Sequence, residues 1–276
     1  MNHDEMRELL GRLHDEFNNE SFIEADPISV PHSFSATPDR EIAGFLAATI
    51  AWGNRRAIVK SAHRMMHYMD NAPHDFVMNA SDEEIEKLGS YVHRTFNGGD
   101  FQDFVRSLRH IYRGWGSMGN YFEQGYMKHQ DLRPVLSEFR HDFLSIPHNA
   151  HADKHLSSID KGAACKRLCM YLRWMVRHDD RGVDFGLWRK IPMSALYMPL
   201  DIHTGRMGRS LGLLHRKQSD WKAVEELTAT LRRFSEDDPV RYDYALFGVG
   251  ISGMFDQYEG LCFVSSTSRL TIAIRL

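Results

Sequence analysis

Three cysteines, Cys165, Cys169 and Cys262, stand among 276 residues, too few for a disulfide framework. They also exclude a four-cysteine iron–sulfur cluster held by one chain. The sequence has no run of 18 or more apolar residues, so no membrane-spanning helix is expected. Its first stretch, MNHDEMRELLGRLHDEF, lacks an apolar core after a basic start. A secretion signal is therefore not expected, and a cytoplasmic location is. Sustained apolar–polar alternation with hairpin turns is missing too, as is any internal repeat. So is an excess of positive charge: 34 Lys and Arg against 37 Asp and Glu leave a net −3, which does not suggest a nucleic-acid binder.

What is present is a helical pattern. Met6, Leu9, Leu10, Leu13 and Phe17 share one helical face. Thr37-Pro38-Asp39 reads as an N-cap, a first-turn proline and an acid near the positive end of the dipole. Ile42, Phe45, Leu46, Thr49 and Ile50 continue that helix until Gly53, and Arg55 to Met69 reads as the next. Further helices are expected from a capped start at Ser81, from Asp100, over Leu132 to Leu144, over Lys166 to Arg177, over Ile202 to Leu213, over Asp220 to Phe234 and over Pro239 to Gly250. Stretches 21–36, 145–160 and 178–192 read as loose. The ending CFVSSTSRLTIAIRL is the most strand-like segment. The fold class is therefore all-α. Cys165 and Cys169, four apart on one helix, read as small buried hydrophobes in preference to a shared metal site.

Charge is unevenly spread. From Lys161 to Lys217 there are twelve Lys or Arg and four Asp or Glu, a balance of +8, so the remainder carries −11. This is compatible with a basic face on an acidic body, and also with ordinary solvated helix surface.

Two residues invite chemistry. Lys166 opens a helix whose other face is apolar. It reads either as a surface residue whose stem covers its neighbours or as a nucleophile, kept neutral by Lys161, Arg167 and partial desolvation. Asp201 precedes the helix from Ile202, where Asp is a preferred N-cap. A carboxylate held by backbone donors stays oriented and can also face positive charge developing on a sugar.

The segment PLDIH, Pro199 to His203, resembles the proline–x–aspartate–x–histidine segment of helix-hairpin-helix DNA glycosylases. In bifunctional members a lysine opens the upstream helix, as Lys166 does here. GAACKRLCMYLRWM is similar to the lysine entry and following helix of the 8-oxoguanine-type enzymes. REIAGFLAATIAWGNRRAIVKSAHRM resembles their early helix–turn–helix pair, whose polar turn, here Gly53-Asn54-Arg55, points toward DNA. DPVRYDYALFGVGI resembles their late helix beside the base pocket. More specifically, ACKRLCMYLRWMVR, MPLDIHTGR and DPVRYDYALFGVGI resemble the recurring segments of DUF2400, a bacterial family of uncharacterised proteins, over most of residues 25–252. Two departures stand out. Before the lysine only Gly162 is available, followed by Ala163-Ala164, and the Lys166-to-Asp201 interval of 35 positions is long. The interval is longer than in most members and closer to that of the archaeal 8-oxoguanine glycosylase branch, and RHDDRGVDFGLWRKIPMSALY fills it.

The resemblance implies one all-α unit over 1–276 with a two-lobed glycosylase-like fold and an atypical hairpin. Lobe A would span about 30–155, and lobe B about 1–29 plus 156–276. It implies base excision from double-stranded DNA carrying a damaged base, an oxidised purine in the nearest branch, by a monomer with no cofactor or metal. Asp201 would stabilise the sugar's charge and Lys166 would attack C1′, leading through a Schiff base to strand cleavage. Asn54, Arg55, Lys161, Arg167, Arg173, His203, Arg206 and Arg209 would meet DNA. Trp52, Trp174, Tyr244 and Phe247 would form the base pocket, with Trp188 a further stacking candidate. Two other readings compete. One is a non-catalytic nucleic-acid binder on the same scaffold. The other is an all-α metal-dependent phosphohydrolase, suggested by sixteen histidines, by His–Asp doublets at 3–4, 14–15, 74–75, 141–142 and 178–179, and by His63 with His67.

Overall fold

A computed structural model describes residues 1–258 and 261–263. The fold is all-α. Helices α1 (His3–Phe17), α2 (Ser21–Glu24), α3 (Ser29–His32), α4 (Thr37–Thr49), α5 (Arg55–Tyr68), α6 (Pro73–Asn79) and α7 (Asp82–Lys87) lead to a small hairpin, β1 (Val92–His93) with β2 (Phe96–Asn97). Then follow α8 (Gly98–Trp115), α9 (Met118–His129), α10 (Leu132–Phe143), α11 (Lys166–Val176), α12 (Ile202–Ser210), α13 (Trp221–Arg232), α14 (Asp243–Ser252) and α15 (Phe255–Tyr258).

Caps explain many boundaries. Asn2 with Glu5, Ser81 with Glu84, and Asn97 with Asp100 form reciprocal capping boxes. Asp220 caps α13 through the Ala223 amide. Three starts differ from the sequence pattern. Asp100 lies inside the first turn of α8, while Asn97 caps it. The residue before α4 is Ala36, and Asp39 accepts the His74 amide at 2.9 Å, tying α4 to α6. The segment from Pro239 opens as a 3-10 turn through Tyr242, and α14 begins at Asp243. The 21–36 stretch holds two short helices, and the hairpin's two-residue strands are too short to leave an alternating pattern. The strand-like ending lies outside the described residues apart from Cys262 and Phe263.

One buried apolar cluster runs from Met6 to Phe263. Within it Phe45, Phe104, Phe139, Phe143 and Tyr171 meet edge-on, tilted or stacked. Each such side chain stabilises the fold by about 1.5–3 kcal/mol through burial. Glu41 of α4 is the polar hub. It accepts from Tyr112, Trp188 and the amides of Met118 and Gly119, so a buried acid is fully partnered. Burial holds its carboxyl above the usual range.

Two close helix approaches place the site. On α4, Gly44 lets α11 settle against it, since a Cβ there would lie 2.7 Å from the Met175 methyl. On α14, Gly248 does the same for α1, where a Cβ would lie 2.2 Å from the Phe17 ring. Helix α14 also packs on α12, so the starts of α11, α12 and α14 converge.

Candidate functional site

Between these helix starts and the α4–α5 connection lies a cleft of about 580 Å³. That is within the range of about 300–1,000 Å³ usual for small-molecule sites. Lys166 is the first residue of α11. The preceding turn reverses through Gly162 and Cys165, both left-handed at φ 78° and 48°. The rest of α11, Leu168 to Val176, is buried, which anchors the helix and leaves its first turn facing the cleft.

Asp201 caps α12. Its Oδ1 accepts the Thr204 amide at 2.9 Å, while Oδ2 stands 3.9 Å from Lys166 Nζ. One carboxylate thus does two jobs with two oxygens. Both side chains keep about a fifth of their surface open, 23% for Lys166 and 21% for Asp201. The lysine also reaches Met170 Sδ at 3.2 Å.

Below this pair lies Asp243, a residue the sequence did not single out. It is buried, accepts from Thr204 Oγ1 at 3.3 Å and pairs with Arg173. Burial pushes its carboxyl up to about 6; Arg173 and Lys166 oppose that rise and the charge of Asp201 adds to it. The one available signal was an acid amid the apolar run of YDYALFGVGI. Phe22 and Asp26 also line the cleft unforeseen, from the stretch read as loose.

Of the residues expected to meet DNA, Arg55, Arg167, Arg173 and His203 line the cleft. Arg55 pairs with Asp26 at 3.1 Å and lies over both Phe22 and Phe247. Arg167 turns inward, over the Trp52 ring at 5.0 Å and onto the Thr49 carbonyl, and burial brings its guanidinium down to about 10. His203 Nδ1 donates to the Gly250 carbonyl at 2.9 Å. Asn54 is spent on capping α5, where it accepts the Ala57 amide. Lys161 and Arg206 are exposed, Arg206 resting on the Phe255 ring.

Two expectations are corrected by where the chain folds. Arg173 is 3% exposed and its guanidinium is consumed by Asp184 and Asp243, so it braces the cleft floor instead of meeting a phosphate. Arg209 donates to the Arg216 carbonyl at 2.8 Å and to Ser219, bracing the α12–α13 connection.

The aromatic expectations divide in the same way. Trp52 and Phe247 line the cleft, Trp52 stacked on His155 at 5.7 Å. Trp174 and Tyr244 have no exposed surface, and Tyr244 lies beneath the Arg173 and Arg177 guanidinium groups. Trp188 is buried on Glu41 and stacked on Phe122. These three belong to the core: helical spacing places Trp174 and Tyr244 on inward faces, and Trp188 comes from the irregular connection after α11, anchored by Glu41. Cys165 and Cys169 are buried as well, as read for small hydrophobes. Among the described residues, none of the weighed His–Asp doublets, nor His63 with His67, joins a three-ligand cluster. No helix among them is long and apolar enough to cross a membrane.

Comparison with known proteins places the chain. No curated protein and no solved structure matches it. A family described as a protein of unknown function, DUF2400, matches residues 26–252, most of the sequence, and the chain belongs to that family.

Proposed function

We propose that the chain is a DNA base-excision glycosylase with an associated lyase activity. The observation that carries this reading is the Lys166–Asp201 pair, 3.9 Å apart at the wall of a cleft that also holds Trp52 and Phe247. A flipped base would stack on those rings. As the N-glycosidic bond lengthens, the sugar gains positive charge, which Asp201 Oδ2 faces while Oδ1 stays on the helix cap. The Lys166 amine, having given up its proton, attacks C1′, and the C1′–N bond breaks with its electron pair leaving on the base. The nitrogen passes one of its two remaining protons to the departing base and keeps the other as the sugar ring opens to a protonated Schiff base, with the ring oxygen O4′ taking up the proton that the amine first gave up. Loss of a C2′ proton then expels the 3′ phosphate and nicks the strand. An oxidised purine is the substrate the sequence resemblance suggests.

Borohydride trapping on duplexes carrying 8-oxoguanine, uracil or an abasic site tests the reading. The expected result is a trapped adduct that disappears in Lys166→Ala, with Asp201→Asn folded but unable to remove the base. DNA binding without any adduct or base release would leave a non-catalytic reader. Absence of DNA binding as well would overturn the proposal.

A further inference from the structure

A second group of residues converges away from the cleft, on the far side of Trp52. Asp100, in the first turn of α8, is 1% exposed at its side chain. Its Oδ1 lies 2.7 Å from His151 Nδ1 and its Oδ2 lies 3.2 Å from His155 Nε2. Donor atoms of all three residues fall within 4.8 Å of one another. The two histidines are four apart and bracket a 3-10 turn, Ala152–His155, so a short backbone segment presents both rings to the same carboxylate.

His155 is the informative member. It is 4% exposed, yet its Nε2 has no hydrogen-bond partner. Asp100 is near enough but out of line for a hydrogen bond. A buried ring nitrogen left this way is costly, about 1–3 kcal/mol, unless something else occupies its lone pair. A cation would. With ligand distances of about 2.0–2.2 Å, neighbouring donor atoms around a metal stand about 3 Å apart, close to the 2.7 and 3.2 Å found.

We propose that Asp100, His151 and His155 form a binding site for a divalent first-row transition metal. Two imidazoles and one carboxylate favour Zn²⁺ or Fe²⁺ over Mg²⁺ and Ca²⁺, which take mostly oxygen ligands. His151 is 39% exposed at its side chain, so the fourth position opens to solvent. The Asn97 amide donates to Asp100 Oδ2 at 2.8 Å and orients the carboxylate from outside. Lys154 opposes the metal. Its Nζ donates to His151 Nε2 at 2.6 Å, which keeps the His151 proton on Nδ1. Metal at Nδ1 moves that proton to Nε2 and releases Lys154 to solvent.

His155 lies flat under Trp52 and edge-on to Phe96. A metal on His155 therefore ties the start of α8 and the hairpin to the Trp52 wall of the cleft. The inference does not depend on what the cleft does.

Tag-free protein stripped with a chelator and titrated with ZnCl₂, anaerobic Fe²⁺ or MgCl₂ in a calorimeter tests it. One Zn²⁺ or Fe²⁺ per chain is expected, with no comparable Mg²⁺ binding. The melting temperature would rise by about 5 °C or more at a hundredfold excess over Kd. His151→Ala, a change at a partly exposed side chain, would weaken binding about a hundredfold or more, as would His155→Gln. Lys154→Ala would tighten it severalfold. No saturable uptake of Zn²⁺ or Fe²⁺, or one-to-one uptake indifferent to both histidine variants, would overturn the proposal.

Discussion

Lys166 and Arg173 stand seven residues apart on α11, about two turns, on nearly the same face. Each has an aspartate beside it. At the first turn the pair is loose: 3.9 Å, a fifth exposed, with Asp201 already committed to a helix cap. Two turns on, Arg173 and Arg177 are buried with Asp184, Asp238, Asp243 and His14, and almost every donor has an acceptor. The same residue types thus form a reactive-looking pair where cations keep spare capacity and a scaffold where none is spare. Burial with saturated partners separates a framework charge from one available to a ligand.

The comparison is broken most directly by Lys166→Ala. If the loose pair is the reacting one, trapped adduct falls by at least about a thousandfold, about 4 kcal/mol of barrier. The melting temperature should barely move, because pairs of this kind contribute about 0–1 kcal/mol to stability. Next comes Arg173→Met, which leaves Asp243 buried without its cation and Asp184 with Arg177 alone. Urea unfolding should show a loss of about 3–5 kcal/mol. Adding Asp243→Asn should recover part of it, since coupled partners are not additive.

The buried cluster also predicts a pH dependence. Burial, with Arg241 and Arg177, brings His14 down from 6.5 to about 4. The unfolded chain therefore binds a proton between pH 6.5 and 4 that the native chain refuses, and this contribution to stability is lost as the pH falls across that window. Asp243, raised to about 6, has the opposite sign: its native form keeps a proton from about pH 4 to 6, so its contribution is lost as the pH rises. The change in urea midpoint from pH 5 to pH 7 should therefore be shifted toward a fall in His14→Gln and toward a larger rise in Asp243→Asn, relative to the parent, provided both variants fold. The smallest effect is expected at the exposed cations. Arg206→Ala should cost no more than about 1 kcal/mol of stability through its contact with the Phe255 ring, weaken duplex binding similarly for all sequences and lower the salt slope by about one.

Helical periodicity carried most of the fold into view, because a face buried along its length repeats every three to four residues in any helix. Asp201 was legible for a related reason: an N-cap is local, and the helix it caps follows immediately. Asp100 was misplaced by three residues because both members of a capping box look like starts. Arg173 was assigned to DNA and Trp174 and Tyr244 to the base pocket because position on a helix does not reveal what the helix packs against. Asp243 and Phe22 went unseen since they meet their neighbours across long sequence separations, and the His151–His155 pair because the Asp100 that joins them lies some fifty residues away. The sequence by itself determined that this chain is helical, where most helices begin, and that a lysine and an aspartate each open one. Only the tertiary structure decided that those two openings meet at the wall of a cleft while the next cations along α11 are sealed in the core. Local hydrogen bonding and periodicity are properties of neighbouring residues, but burial and partnership depend on which distant elements pack together.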